Sequence, residues 1–338
     1  MSINNILVVA PSWVGDTVLI QPMLRRLRER YPDCLIDVLA PPWTEALLRE
    51  MPEVHDVIIN PFPHGALQLG ARYRLGKELR DKRYDQAIVL PNSLKSALVP
   101  FFARIPLRIG FVGELRYGLL NDARKLDKAA LPLMVERFAA LAEAPRDPLP
   151  RPVPPPQLQV SAERRQQVLD KFGLNLNKPV AVFCPGAEYG PAKRWPYPYF
   201  AELAQNLQSR GYNVWIVGSP KDQEIGDKIV ALGNAGVRNL CGSTDLSEAI
   251  ALLSCAALVV SNDSGLMHVA AALDRTMLAL YGSSSPGFTP PLSNKAHVVK
   301  LDLPCSPCFQ RECPLGHFNC MKQLTPQLVA KQIPSTLA

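Results

Sequence analysis

The sequence predicts an α/β protein built from two doubly wound parallel-sheet domains. Short apolar segments alternate with longer amphipathic ones in both halves of the 338-residue chain, a pattern typical of parallel sheets covered on both faces. Between the halves lies APRDPLPRPVPPP, a proline-rich stretch that cannot continue a helix or a central strand. We therefore expect two domains, joined by a stiff linker and facing a cleft.

The predicted elements follow this pattern in order. In the first half, strands are expected at 6–10, 35–40, 54–60 and 86–90, and helices at 16–31 and 93–103. In the second half, strands are expected at 180–184, 214–218, 258–261 and 277–281, and helices at 161–172, 199–211, 245–254 and 265–273. These assignments place one domain at 1–155 and the other at 156–324, followed by a terminal segment at 325–338.

Composition narrows the class of protein. Hydrophobic residues make up 47% and charged residues 20%, which fits a globular chain. The apolar runs fall short of the roughly 20 residues that cross a membrane, and the N-terminus reads as a strand. We therefore expect a cytoplasmic protein without a transmembrane segment. The net charge of +7 is spread over both halves, which argues against a nucleic-acid partner.

Two basic clusters stand out locally. The first comprises Arg72, Arg74, Lys77, Arg80, Lys82 and Arg83, and the second Arg108, Arg116, Arg124, Lys125 and Lys128. They are either solvated helix faces or surfaces that attract an anionic membrane or an anionic acceptor.

The first motif with chemical content, PSWVGDT, follows the first strand. It lacks the G-x-G-x-x-G pattern of a dinucleotide site, which disfavours hydride transfer. Gly15 permits a tight turn or the close approach of a substrate. Asp16 begins a helix, so its carboxylate either caps that helix or complements its dipole, or it acts as a general base on a sugar hydroxyl.

The second motif is VVSNDSGLMH, in which an apolar strand runs into the segment Asp263, Ser264 and Gly265 and then a helix. The unpaired N–H groups of a first helical turn attract anions, and Gly265 lets a diphosphate approach closely. His268 lies one turn beyond Ser264 on the same helix face. The alternative is an ordinary capped helix with a core histidine.

Two further loops follow strands in the second half. Lys193, in KRWP, is either a cation for a phosphate group or a surface lysine. After the strand that ends near 218, Asp222 or Glu224 either accepts hydrogen bonds from ribose hydroxyls or caps a helix. Taken together, these C-terminal motifs describe a site for a nucleotide diphosphate.

The segments WVGD, KRWP and NDSGLMH are similar to those of glycosyltransferase family 9, the ADP-heptose-dependent heptosyltransferases. PNSLKSALVPFFA, PLRIGF and CSPCFQRECPLGHFNC resemble the branch of the family that adds the second heptose of the lipopolysaccharide inner core. The resemblance implies a GT-B fold with two Rossmann-like domains. The N-terminal domain would bind heptosyl-Kdo2-lipid A at the cytoplasmic face of the inner membrane, and the C-terminal domain would bind ADP-heptose. Segment 325–338 would pack back on the N-terminal domain.

The resemblance also assigns roles to residues. Asp16 matches the catalytic aspartate and Lys193 the phosphate-binding lysine, while Asp263, Ser264, Gly265 and His268 match the phosphate loop and the histidine that follows it. Asp222 matches the ribose-binding acid, and Thr244 falls in the loop beside the adenine. Lys95 lies where an acceptor phosphate or carboxylate would be met. The implied reaction is a single inverting displacement without a required cofactor or a bound metal, Mg²⁺ being at most stimulatory.

Cys305, Cys308, Cys313 and Cys320, together with His317, form a dense cluster near the C-terminus. They are either ligands of a structural zinc ion or thiols of a compact loop. Two other functions stay open. One is a nucleotide-sugar epimerase or hydrolase that needs no acceptor, and the other is a non-enzymatic binder of anionic lipid or nucleic acid.

Overall fold

A computed structural model describes residues 3–63, 65–233 and 235–334 of the chain. The chain divides into two compact units, Met1–Pro156 and Gln157–Ala338, so the division lies one residue beyond the boundary expected at 155. Within the described residues, none of the helices combines the length and apolarity needed to cross a membrane.

The N-terminal unit contains a six-stranded parallel sheet in the order β3-β2-β1-β4-β5-β6. Its strands are β1 (Asn5–Val9), β2 (Leu35–Ala40), β3 (Asp56–Ile59), β4 (Gln86–Val89), β5 (Leu107–Phe111) and β6 (Asp122–Arg124). Its helices are α1 (Val14–Leu19), α2 (Gln21–Arg30), α3 (Glu45–Arg49), α4 (Leu69–Glu78), α5 (Leu98–Phe102) and α6 (Met134–Ala140). The order reverses between β1 and β4, and open α/β sheets bind their ligands at such a switch point.

The single helix expected at 16–31 is in fact two helices, α1 and α2. They meet at Ile20, and Pro22 stands in the first turn of α2. Proline has no N–H to donate, so it is tolerated in a first turn but interrupts the hydrogen bonds of a continuing helix. The break leaves α1 as a short helix directly after β1.

The two basic clusters are in part structural. Arg72 is buried and donates to the carbonyls of Leu67, Ala66 and Lys95, and its guanidinium lies 4.0 Å from the ring centre of Phe62. Arg116 is also buried and donates to the carbonyl of Phe111. Burial lowers the pKa of Arg116 to about 10. These two arginines therefore satisfy loop carbonyls instead of facing solvent.

The C-terminal unit repeats the design with a second parallel sheet, in the order β12-β11-β10-β7-β8-β9. Its strands are β7 (Val180–Cys184), β8 (Asn213–Ile216), β9 (Val237–Asn239), β10 (Leu258–Asn262), β11 (Met277–Leu280) and β12 (Ala296–Val299). Its helices are α7 (Ala162–Phe172), α8 (Tyr197–Ser209), α9 (Gln223–Leu232), α10 (Leu246–Ser254), α11 (Gly265–Ala272), α12 (Asn319–Lys322) and α13 (Pro326–Ala330). The switch point here lies between β7 and β10.

The terminal segment 325–338 was expected to pack back on the N-terminal domain, and this stays a prediction. By its own contacts the segment falls in the C-terminal unit. Helix α13 packs against α8, and Val329 and Ile333 join the same apolar core as Leu203 and Leu207. The burial of these side chains explains the packing, because it removes apolar surface from water. Residues 335–338 of this segment lie outside the described residues.

Helix α4 packs closely on α5, and two of its glycines offer a matched test of that contact. A Cβ at Gly76 would lie 2.6 Å from Cβ of Phe102 and 2.9 Å from the carbonyl oxygen of Val99, whereas a Cβ at Gly70 meets nothing within 4 Å. We expect Gly76→Ala to lower the free energy of unfolding by about 1–3 kcal/mol. Gly70→Ala should leave it unchanged or raise it by up to about 1 kcal/mol. Urea unfolding of both variants measures the difference, and equal stabilities would contradict the close packing.

Candidate active site

The C-terminal site is organised around Asn262, the last residue of β10. This side chain is fully buried. Its amide nitrogen donates to the carbonyl of Pro185 at 2.7 Å, and its amide oxygen accepts from the backbone N–H of Trp195 at 3.1 Å. Asn262 thus links the ends of β7 and β10 to the loop that carries Lys193, across the switch point of the sheet.

Lys193 and Asp263 form a close ion pair. The Nζ atom of Lys193 lies 2.6 Å from Oδ2 of Asp263, and the two side chains are 17% and 4% exposed. The ammonium also lies 5.2 Å from the ring centre of Tyr189. The lysine is therefore not a free surface residue, because a buried carboxylate and an aromatic face fix its position.

The start of α11 carries the predicted phosphate loop. Ser264 occupies the N-cap position without a side-chain capping bond, and its hydroxyl lies 3.4 Å from that of Ser261. Gly265 is the first residue of the helix. The positive end of the helix dipole thus lies directly after Asp263, which in turn pairs with Lys193.

His268 lies one turn into α11 and is buried. Burial lowers its pKa to about 4, an effect that Asp263 opposes and Lys193 reinforces. The imidazole is therefore neutral at pH 7. Among the described residues, its Nδ1 atom has no hydrogen-bond partner. A buried polar atom of this kind is costly unless another group satisfies it.

Asp222 is also buried and joins two strand ends. Its Oδ2 atom accepts from the N–H of Ser219 at 3.0 Å and from the Ser219 hydroxyl at 2.7 Å, so the predicted capping alternative is present. A Cβ at Gly186 would lie 2.4 Å from the same oxygen, which shows that the carboxylate packs on the glycine backbone. Thr244 is half-buried in the loop after β9.

The N-terminal unit places Asp16 directly beyond β1. Asp16 is half-buried in the first turn of α1, whose N-cap is Trp13, so it complements the helix dipole instead of capping the helix. Gly15 beside it is buried. Trp43, in the loop after β2, donates from its indole N–H to the carbonyl of Ser12 at 2.8 Å and is 51% exposed.

Lys95 lies beyond β4 in the short helical turn Leu94–Ala97 and is half-buried. Since β4 neighbours β1, Lys95 and Asp16 follow the two strands that flank the switch point of the N-terminal sheet. The structure thus places both on the carboxyl edge of one sheet, as Lys193, Asp222, Thr244 and Asp263 are on the other.

The four clustered cysteines line a cavity of about 20 Å³ together with His317 and Ser283. Their thiols are free, and no group of three or more His, Cys, Asp or Glu side chains within the described ranges is arranged to hold a metal ion. Hydrogen bonds from backbone N–H groups, chiefly that of Phe318, lower the pKa of the Cys313 thiol.

The cysteine loop also supports the lysine loop. The N–H of Ala192 donates to the carbonyl of Arg311 at 3.0 Å, and the hydroxyl of Tyr189 donates to the carbonyl of Phe309 at 2.9 Å. The guanidinium of Arg311 lies 5.3 Å from the Tyr189 ring centre, so that ring contacts two cations. None of these three contacts is visible in the sequence, since over a hundred residues separate the partners.

Asn262 and Trp43 were not predicted from the sequence as site residues. A sequence signal for Asn262 exists, because it ends an apolar strand and directly precedes Asp263. Trp43 gives a weaker signal: it follows β2 at the same sheet edge as Asp16, but only the structure shows its bond to the loop of Ser12.

A helix start, a lysine and buried carboxylates at the carboxyl edge of a doubly wound sheet are how α/β proteins bind nucleotide diphosphates. Two such sheets in one chain confirm the predicted fold class, an α/β protein of the GT-B type with two Rossmann-like domains.

Comparison with known proteins agrees with this class. Residues 72–319 match the model of glycosyltransferase family 9 (heptosyltransferase). The chain is 52% identical to lipopolysaccharide heptosyltransferase 2 of Salmonella typhimurium, with 99% of each chain covered, and 51% identical to that of Escherichia coli, with 98% covered. The solved structure of E. coli ADP-heptose lps heptosyltransferase II superposes with a TM-score of 0.90 at 48% identity over 98% of both chains. The chain belongs to glycosyltransferase family 9.

The low pKa of His268 predicts how the free energy of unfolding depends on pH. Between the ordinary value of 6.5 and the folded value of about 4, the unfolded chain binds a proton that the folded chain excludes. Stability should therefore fall as the pH decreases through this window, by about 1 kcal/mol between about pH 7.5 and pH 5.5. His268→Gln should lose this dependence in urea unfolding, whereas His297→Gln, at an exposed position, should retain it. Parallel pH profiles for His268→Gln and the parent protein would contradict the assignment.

Proposed function

We propose that this enzyme transfers L-glycero-D-manno-heptose from ADP-heptose to heptosyl-Kdo2-lipid A, with inversion at the anomeric carbon, and so adds the second heptose of the lipopolysaccharide inner core. It works in the cytoplasm, as a peripheral protein at the inner face of the inner membrane. The similarity to heptosyltransferases 2 along the whole chain supports this substrate pair.

The observation that carries the proposal is the group formed by Lys193, Asp263 and the start of α11. The ion pair with Asp263 holds the Lys193 ammonium beside the positive end of α11. The ammonium and the helix end would together stabilise a diphosphate. The unpartnered Nδ1 of His268 adds a buried polar atom to the same helix turn. Asp222 and Thr244, on neighbouring strand ends, serve the ribose and the adenine side.

In the proposed reaction, the carboxylate of Asp16 accepts the proton of the attacking acceptor hydroxyl. The hydroxyl oxygen bonds to the anomeric carbon while the bond from that carbon to the diphosphate oxygen breaks. Lys193 and the N–H groups of Ser264 and Gly265 stabilise the charge that develops on the departing ADP, and groups aimed in this way are worth about 3 kcal/mol each. Lys95 contacts an anionic group of the acceptor. The reaction needs no cofactor, and Mg²⁺ is at most stimulatory.

Transfer is tested by incubating the enzyme with ADP-heptose, with and without acceptor, and following ADP release. Release that depends on the acceptor supports transfer, and mass spectrometry of the product should show one added heptose. Turnover of the donor alone would instead identify an epimerase or a hydrolase, and the proposal would fail.

Asp16→Asn should lower kcat by about 100-fold or more, because the amide cannot accept the proton, while affinity for ADP stays within about two-fold. Asp33→Asn, which changes an exposed carboxylate of the same unit, is the control and should be neutral. A kcat near normal in Asp16→Asn would remove Asp16 from the role of base.

Lys193→Ala should weaken ADP binding by about 10- to 100-fold, because it removes a cation and leaves the Asp263 charge unpaired. Lys221→Ala, which changes an exposed lysine paired with Glu188, is the matched control. Calorimetric titration with ADP measures both, and thermal melting verifies that each variant is folded. Equal affinity in the two variants would discard Lys193 as the phosphate ligand.

A further inference from the structure

One surface of the N-terminal unit combines basic and aromatic side chains outside the catalytic residues. We call Tyr73, Lys77, Arg80, Phe101, Arg104 and Arg108 the basic-aromatic surface. A cavity of about 350 Å³ opens within it, lined by Arg80, Arg104 and Arg108, by Phe101 and Phe102, and by Ile105 and Pro106. Every charged residue in this lining is an arginine.

Contacts between α4 and α5 hold the surface together. The rings of Tyr73 and Phe102 pack edge to face with their centres 5.3 Å apart, and those of Phe101 and Phe102 are 5.6 Å apart. The absence of a side chain at Gly76 allows this approach, since a Cβ there would collide with Phe102. The aromatic side chains therefore occupy fixed positions.

The cations are positioned just as firmly. Arg108 donates to the carbonyls of Leu119 and Ile105 at 2.6 and 2.5 Å, and its guanidinium lies 5.6 Å from the ring centre of Phe101. Arg80 donates from Nε to the carbonyl of Phe102 at 3.0 Å. Lys77 and Arg104 are exposed. Backbone contacts thus fix two cations in the lining of the cavity, and the exposed pair adds charge around it.

The apolar part of this surface faces solvent. Phe101 is 40% exposed and Tyr73 is 46% exposed. Leu69, on α4 with Tyr73, is 51% exposed, and Leu67, in the loop before α4, is 52% exposed. Single exposed apolar side chains are ordinary, but several on contacting elements form a patch that marks an interaction site. A freely soluble anion would use the arginines and leave this patch in water.

We propose that the basic-aromatic surface docks the enzyme on an anionic phospholipid bilayer. The arginine-lined cavity receives a lipid phosphate, the lysine and arginines lie over the headgroups, and Phe101 and Tyr73 enter the interfacial region beside them. Charge complementarity supports this partner: residues 69–83 hold six cations and two acids, and five of those cations remain outside the core after the burial of Arg72. The inference rests on the proposed function, since an enzyme must bind the membrane only if its acceptor is a membrane lipid.

Binding of the full-length enzyme to vesicles tests the surface. The parent protein should co-sediment with vesicles of phosphatidylglycerol and phosphatidylcholine, bind vesicles of phosphatidylcholine alone weakly, and be released by salt. Lys77→Glu combined with Arg104→Glu should weaken binding on the order of 100-fold. Lys178→Glu combined with Lys331→Glu makes the same change in net charge at exposed positions of the C-terminal unit, and it should be close to neutral.

The apolar contribution has its own test. Phe101→Ser should reduce the vesicle binding that persists at high salt, whereas Leu176→Ser, at a similarly exposed position of the other unit, should not. If both charge-reversal double variants weaken vesicle binding equally, net charge alone explains the binding, and the basic-aromatic surface is not the docking site. If the parent protein does not bind anionic vesicles, the proposal is overturned.

Turnover of an acceptor freed of its acyl chains separates this proposal from the proposed function. The double variant Lys77→Glu and Arg104→Glu should transfer heptose to this water-soluble acceptor at the parental rate. Loss of that turnover as well would assign the surface to acceptor binding and overturn the bilayer proposal. A parent protein that binds vesicles but transfers heptose to no acceptor would overturn the proposed function and leave the docking surface standing.

Discussion

The buried amide of Asn262 is the constraint on which the C-terminal site depends. One side chain satisfies the carbonyl of Pro185 and the N–H of Trp195, two backbone groups that would otherwise be unpaired in the interior. Because Asn262 ends β10, its bonds fix the loops after β7 and β10 relative to the sheet. The loop that carries Lys193 is therefore placed by the sheet itself, and Asp263, the next residue, receives the lysine ammonium.

This arrangement explains how a cation and a carboxylate can be almost buried together at the carboxyl edge of the sheet. The Asp263 charge balances Lys193 before any ligand binds, so the protein does not hold an isolated charge in a region of low dielectric. His268 stays neutral beside them because its burial outweighs the attraction of Asp263. The ion pair therefore carries no net charge, and the Lys193 ammonium lies beside the positive end of a helix.

Much of this could be predicted from local sequence. Apolar runs located β1, β4, β7, β8, β10 and β11, and polar residues just beyond them marked the edge of each sheet where Asp16, Lys95 and Asp263 lie. The break between α1 and α2 was not predicted. Pro22 is a sequence signal for it, but the surrounding residues keep a helical period and so favoured one continuous helix. These features depend on neighbours in the chain, which sequence patterns describe well.

The rest depends on residues distant in the chain. Nothing in KRWP indicates that Lys193 pairs with a carboxylate seventy residues later, and nothing in a run of arginines shows that Arg72 and Arg116 turn inward to satisfy loop carbonyls. The packing of α13 on α8 could not be predicted for the same reason, because Val329 and Ile333 are apolar enough to pack on any core and only the fold selects α8 as their neighbour.

The ring of Tyr189 has a consequence for how inhibition of this enzyme should be interpreted. Its hydroxyl is tethered to the backbone at Phe309, inside the cysteine loop, while its face lies beside the Lys193 ammonium. An alkylating reagent that enlarges Cys305 or Cys308 would push on that backbone and shift the aromatic face beside the Lys193 ammonium. Inactivation by such a reagent would then report a displaced lysine, and a catalytic thiol should not be inferred from it.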